Sequence, residues 1–193
     1  MIRARAYFTG LGIYELFVND KKAGEEFLAP GCTVYDSWIQ LQTYDVTEYL
    51  HEGENVLGAI VGNGWAKGRF SFGSEPGSYE TNFPGIPANN FTEEYLLLGE
   101  LHVWTDMGEI VIATDESWQS APCPLTFGNI YDGERYEQAL EIKNWASAEC
   151  TYADWRGVKI NTSTKLGQIT DRLSLPVRIK HRIVPKVIAT PKN

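Results

Sequence analysis

Ile2-Arg3-Ala4-Arg5-Ala6-Tyr7-Phe8, followed by Ile13-Tyr14-Glu15-Leu16-Phe17-Val18, is the stretch that decides the fold. In both runs apolar and polar side chains alternate, the period of two expected of a strand that buries one face. Thr9-Gly10-Leu11-Gly12 reads as the connection separating this pair. Asn19-Asp20 follows as a turn, since both residue types bond their own backbone and tolerate left-handed conformations. Residues 40–46 form a further extended segment. Asp45-Val46-Thr47-Glu48-Tyr49-Leu50 then runs from a strand end into one helical turn, where Asp45 or Thr47 can cap the free amides. No other segment of the chain reads as helix.

Glu52-Gly53-Glu54-Asn55 is a reverse turn before residues 56–61, an apolar run short enough for a buried strand. Residues 95–104 and 109–114 form a hairpin across Thr105-Asp106-Met107-Gly108. Strands at regular spacing, turn chemistry between them and almost no helix indicate an all-β sandwich or jelly roll. From Trp65 to Glu94 the pattern dissolves into Gly and Pro interleaved with Phe70, Phe72, Tyr79, Phe83 and Phe91. A loop of this length in a compact domain has a function or is mobile. Residues 1–176 are expected to be one sandwich domain, and residues 177–193, basic and without an acidic side chain, a strand and linker leading into a further domain.

At 193 residues the chain suffices for one well-buried domain but not for a large catalytic barrel besides. Six Trp, ten Tyr, eight Phe and 18 Gly suit an all-β carbohydrate-associated domain. The formal net charge of −8 opposes binding to a phosphate backbone, so nucleic acid is not an expected partner. No run approaches the ~18 apolar residues of a membrane span, so a membrane is not expected either. Met1-Ile2-Arg3-Ala4-Arg5 lacks the continuous apolar stretch of a signal peptide, which favours the cytoplasm, although a chain cut from a longer protein would lose its native start. Cys32, Cys123 and Cys150 are too few and too widely spaced for a disulfide framework or a zinc signature, and read as buried free thiols. His51, His102 and His181 are scattered, which supports neither a metal cluster nor a Ser/His/Asp triad.

Ala6-Tyr7-Phe8-Thr9-Gly10-Leu11-Gly12-Ile13-Tyr14-Glu15-Leu16-Phe17-Val18-Asn19, Leu28-Ala29-Pro30-Gly31, Gln42-Thr43-Tyr44-Asp45-Val46-Thr47 and Gly53-Glu54-Asn55-Val56-Leu57-Gly58 occur in that order. Gly62-Asn63-Gly64-Trp65, Lys67-Gly68-Arg69, Thr114-Asp115-Glu116-Ser117-Trp118 and Ile130-Tyr131-Asp132-Gly133-Glu134 continue the series. Together they resemble the N-terminal domain of the bacterial α-L-rhamnosidases of glycoside hydrolase family 78. The resemblance implies a galactose-binding-domain-like β-sandwich that is not itself catalytic. In that family terminal L-rhamnose is hydrolysed with inversion in a separate (α/α)6 barrel, to which no residue here corresponds. The implied partners are the remaining domains of the parent glycosidase and rhamnose-containing saccharides or glycosides. The chain departs from the family at Cys32, where Trp is usual, and at Ala66, where Tyr is common, and in a longer loop over residues 74–93.

Six side chains are the candidate sugar contacts: Asn63, Trp65, Lys67, Arg69, Asp132 and Glu134. Trp65 either exposes an indole face for stacking on a sugar's C–H surface or packs under the long loop. Lys67 and Arg69 can donate to hydroxyls or simply remain solvated. Asp132 and Glu134 lie in a Gly-containing turn, where carboxylates commonly bond turn amides. Calcium takes carboxylate, amide and carbonyl oxygens from loops. Because some modules of the family bind rhamnose through it, the resemblance makes Ca2+ a candidate cofactor, with Asn63, Asp132 and Glu134 as its ligands. Trp118 reads as a core residue. Three functions compete: a module that positions rhamnoside substrate, a purely structural interdomain scaffold, and a small enzyme with a convergent acid pair. The sugar-binding domain of family-2 glycosidases shares the jelly roll and an Asp-Val-Thr pattern but lacks the Gly-Asn-Gly-Trp and Tyr-Asp-Gly-Glu set.

Overall fold

The computed structural model describes residues 2–68 and 91–186. Their strands are β1 (Arg3–Leu11), β2 (Ile13–Val18), β3 (Lys21–Lys22), β4 (Trp38–Asp45), β5 (Leu57–Gly62), β6 (Leu96–Thr105), β7 (Gly108–Ala113), β8 (Gln119–Ser120), β9 (Leu125–Asn129), β10 (Gly133–Tyr136), β11 (Arg156–Gly157) and β12 (Gln168–Asp171). A five-stranded sheet in the order β12-β4-β1-β6-β7 packs against a three-stranded sheet in the order β3-β2-β5. Two-stranded pairs, β9 with β10 and β8 with β11, complete the all-β architecture.

The alternation read in the two opening runs is what joins the sheets. Ala4, Ala6 and Phe8 of β1 face Tyr14, Leu16 and Val18 of β2 across one core, which Tyr44, Val46 and Leu101 extend. Fully burying a side chain the size of Phe8, Leu16 or Val18 contributes roughly 1.5–3 kcal/mol, so this contact supplies much of the adhesion between the layers. Phe8 lies over Gly99, its register partner on β6. A Cβ on Gly99 would come within 2.4 Å of that ring, so no other residue fits there without displacing Phe8.

The first connection differs from the sequence expectation. β1 runs on through Thr9, Gly10 and Leu11, which pair with Leu98, Leu97 and Leu96. The reason is a second cluster on the outer side of the sheet, in which Leu11 packs with Tyr35, Ile39 and Ala66, so alternation gives way to burial on both faces. Gly12 alone makes the turn. Its φ of 118° lies in glycine territory, and a Cβ there would stand 2.4 Å from the Gly62 carbonyl oxygen. β1 and β2 are consequently in different sheets rather than paired with each other.

The turn after β2 has Asn19 and Asp20 at φ 50° and 62°, as their side-chain chemistry allows. Asn19 also acts at a distance, its amide donating to the Tyr49 carbonyl (2.9 Å) and to Asn55 Oδ1 (2.8 Å) while accepting from Val56 N (2.9 Å). The expected helical turn is a 3-10 turn at Thr47–Tyr49. Asp45 accepts the amide (3.1 Å) and hydroxyl (2.7 Å) of Thr47, bonds that hold its carboxyl below the usual range. A second 3-10 turn, Gln138–Leu140, had no helical signature in the sequence. The β6–β7 hairpin forms as read, and Trp118 leans on Phe8 with ring centroids 6.4 Å apart.

Two readings need correction. Cys32 is exposed and Cys123 and Cys150 are only half-buried, because all three lie in connections outside the paired strands; the thiols are free but are not core residues. β12, unmarked in the sequence, runs parallel to β4 at the edge of the large sheet. Beyond it Arg172 pairs with Glu26, the amides of Leu173 and Ser174 donate to Gln40 Oε1 (3.0 and 3.1 Å), and Val177 bridges to Phe27. Among the described residues no helix is long and apolar enough to cross a membrane.

Gly99→Ala should therefore destabilise the domain by about 1–3 kcal/mol through overpacking against Phe8, whereas Gly128→Ala, with nothing within 4 Å of its added Cβ, should stay within roughly 0.5 kcal/mol of the parent. Urea titration of both variants measures the difference. Equal midpoints would mean that Phe8 does not sit on Gly99.

Candidate functional site

Gly62 ends β5, and the chain leaves the sheet through Asn63, Gly64, Trp65 and Ala66. Gly64 is buried with φ 55°, and a Cβ on it would stand 2.7 Å from Ile13 N, so the backbone turns tightly against the start of β2. This turn separates the side chains into two groups. Trp65 and Ala66 pack on the cluster of Leu11, Tyr35 and Ile39, which is the packing alternative for the indole. Asn63 and Lys67 instead line a cleft of about 1930 Å3 between β5, the start of β6 and the segments that carry β8 to β11.

Tyr95, just before β6, organises this rim. Its hydroxyl donates to Asn63 Oδ1 at 2.6 Å, and Lys67 Nζ stands 5.0 Å from the centre of its ring. Lys67 also donates to the Glu93 carbonyl, so its ammonium is held over the tyrosine rather than extended into water. Next to it, Glu94 Oε2 accepts from Asn161 Nδ2 at 2.7 Å. From the other side the β9–β10 hairpin contributes Asn129 and Glu134 to the same cleft. Asn129 Oδ1 is buried and has no hydrogen-bond partner among the described residues. It lies 3.4 Å from where a Cβ on Gly68 would be, as does Asn63 Cβ, so the two asparagines are neighbours across that glycine.

Of the six side chains expected to contact sugar, Asn63, Lys67 and Glu134 are brought to one cleft. Trp65 belongs to the second cluster, and Asp132, in the turn between β9 and β10, does not line the cleft. Arg69 lies outside the described residues, as does most of the Gly- and Pro-rich stretch. As ligands for calcium, Asn63 has its amide oxygen engaged by Tyr95. Among the described residues no group of three or more His, Cys, Asp or Glu side chains is placed to hold a metal ion. Tyr95 and Asn129 were not legible as site residues. Tyr95 reads in sequence as the start of a strand, and the partner of its hydroxyl is 32 residues away. Asn129 carries no local signal beyond lying just before a turn.

Residues 1–181 match the family described as the alpha-L-rhamnosidase N-terminal domain. The chain belongs to that family. An alpha-L-rhamnosidase of Formosa agariphila is 35% identical over 152 residues, which is 79% of this chain and 15% of that protein. The crystal structure of Streptomyces avermitilis alpha-L-rhamnosidase complexed with L-rhamnose superposes with a TM-score of 0.82 at 30% identity, over 93% of this chain and 16% of that one. Native alpha-L-rhamnosidase from Aspergillus terreus gives a TM-score of 0.71 at 33% identity, over 91% of this chain and 18% of that one. The chain thus spans less than a fifth of the length of these rhamnosidases, in which the domain is part of a larger polypeptide.

Removing the Tyr95 hydroxyl with Tyr95→Phe should cost at most about 1 kcal/mol, as an exposed hydrogen bond does. It should also shift the side-chain amide signal of Asn63 in a 15N spectrum. An Asn63 signal identical in both proteins would mean that the bond does not form.

Proposed function

We propose that this domain is the non-catalytic N-terminal module of a longer α-L-rhamnosidase, where it supports the catalytic part and helps to hold a rhamnoside. The observation carrying this reading is the set of polar groups that one cleft of mixed lining collects: Asn63, Lys67 and Glu134, with Tyr95 bonded to Asn63 and Asn129 Oδ1 buried without a partner among the described residues. A deoxysugar has apolar C–H faces and a few hydroxyls in fixed directions, which such a set matches with amides, a cation and an aromatic ring. The cleft of about 1930 Å3 exceeds the ~300–1,000 Å3 of usual small-ligand sites. A monosaccharide would therefore occupy a part of it only, leaving the remainder for a longer glycoside or a neighbouring domain. Cleavage of the terminal rhamnose, with inversion, belongs to another domain of the parent, and this chain alone should not hydrolyse an aryl rhamnoside.

A purely structural interdomain scaffold is favoured by a different observation. Leu173, Leu175, Ile183 and Val184 are 77%, 91%, 87% and 88% exposed, apolar side chains interspersed with basic ones and suited to packing on another domain.

NMR titration of the chain with L-rhamnose, in calcium and again with a chelator, separates the two. Saturable binding that moves the Asn63 and Lys67 signals and weakens about tenfold or more in Asn63→Ala, a loss of ~1.4 kcal/mol, is expected of a sugar-binding module. Binding abolished by the chelator and by Asp132→Ala would assign calcium and the β9–β10 turn to the site. No binding in either condition leaves the scaffold reading.

A further inference from the structure

Away from the cleft, the outer face of the five-stranded sheet carries a ladder of cross-strand pairs: Arg3 beside Trp104, Arg5 beside His102, and Tyr7 beside Glu100. The Arg3 guanidinium lies 4.1 Å from the Trp104 ring centre. His102 stacks on Trp104 at 5.8 Å and 28° and meets Tyr7 edge-on at 5.3 Å. Both of its ring nitrogens face carboxylates, Nδ1 at 2.7 Å from Glu109 Oε1 and Nε2 at 2.9 Å from Glu100 Oε2.

A neutral imidazole has only one N–H, so in that form its other nitrogen would turn a lone pair toward a carboxylate. The imidazolium donates to both. Glu100 is on the same strand as His102, but Glu109 is on β7, which pairs with β6 on one side and, among the described residues, has no strand on the other. The bond to Glu109 is therefore a side-chain tie on the open edge of the sheet, added to a hairpin whose Ile110, Val111 and Ile112 are 46–54% exposed.

We propose that protonated His102 is a clip that holds the edge strand β7 on the sheet, and that loss of its proton releases this edge. The charges around it act in both directions. Arg5, opposite His102, and Arg3, beyond Trp104, disfavour a further cation, but Arg5 is itself opposite Asp45 on β4, and neither arginine is bonded to the imidazole as Glu109 and Glu100 are. The two carboxylates prevail, Glu109 first and Glu100 second, and raise the His102 pKa. With the folded pKa above the unfolded value of ~6.5, the stabilisation is complete below that value and disappears as pH rises through the folded pKa. Above it, β7 offers a less firmly held row of main-chain donors and acceptors to any strand that can pair with it.

The test follows the His102 ring signals and amide exchange of the whole chain from acid to alkaline pH, with protection in β7 referred to that in β2. His102 should titrate above the ordinary histidine range, and relative protection of Ile110 and Ile112, whose amides face β6, should fall about two- to fivefold through the same midpoint, as expected on losing one cross-strand pair. Glu109→Gln should lower the midpoint and remove the step. An ordinary or lowered midpoint, a β7 protection ratio that stays flat through it, or a step unchanged in Glu109→Gln would each overturn the proposal. The first two readings come from the unsubstituted chain and need no variant to fold.

Discussion

β1 has neither a free edge nor, beyond Tyr7, a free face. It pairs with β4 on one side and with β6 on the other. Its inner side chains carry the core shared with β2, and its last outward residue, Leu11, carries the second cluster. Phe8 covers Gly99 on the hydrogen-bonded neighbour β6, and β6 in turn positions both β7 and Tyr95. The turn at Gly12 then places β2 in the opposite layer. The rest of the domain is arranged around a strand paired on both edges and, from Phe8 on, buried on both faces, which is where close packing makes every methylene count.

A buried polar network does for the chain's later part what the core does for its beginning. Glu26, only 7% exposed, accepts from the Tyr44 hydroxyl at 2.7 Å and pairs with Arg172. Tyr44 donates its single proton there, and its oxygen is 3.3 Å from the hydroxyl of Tyr14, which is itself within 2.9 Å of the Phe8 carbonyl and of Gln42 Oε1. Burial raises the phenol pKa of both tyrosines, so they act as neutral donors and acceptors. A charge this enclosed is tolerated only when partnered. The segment after β12 is thereby fastened beneath the loop that carries Ala29 and Pro30.

The cleft is where packing is least complete. β5, which lines it, is half-buried along its whole length, while β7, away from the cleft, is exposed throughout. In the relatives that contain a domain of this family the rest of a much longer chain stands beside it, and exposed apolar surface on the domain is surface available to such neighbours. The proposed sugar recognition and domain support would draw on different parts of this surface: a rim of amides and a cation in one case, and the apolar residues after β12 in the other. The two roles are therefore physically compatible in one module.

Composition, period-two alternation and one short apolar run were enough to specify an all-β sandwich, the β2 strand, the β5 strand (half-buried rather than buried as expected), the β6–β7 hairpin and the turn at Asn19-Asp20, because each depends on residues adjacent in the chain. The family likewise lay in ordered local motifs. What required the tertiary structure was every relation between segments. The continuation of β1 to Leu11 depends on Tyr35, Ile39 and Ala66, and the parallel pairing of β12 joins Gln168 to Trp38. Among the candidate site residues, Asn63, Lys67 and Glu134 were legible as polar residues in loop or turn motifs, but their sharing of one cleft was not. Trp65 could not be assigned to surface or core from its neighbours, since that choice was made by a cluster assembled from three distant segments. Alternation reports which side of a strand a residue lies on, whereas what stands opposite it is set by chain closure across tens of residues, which no local pattern encodes.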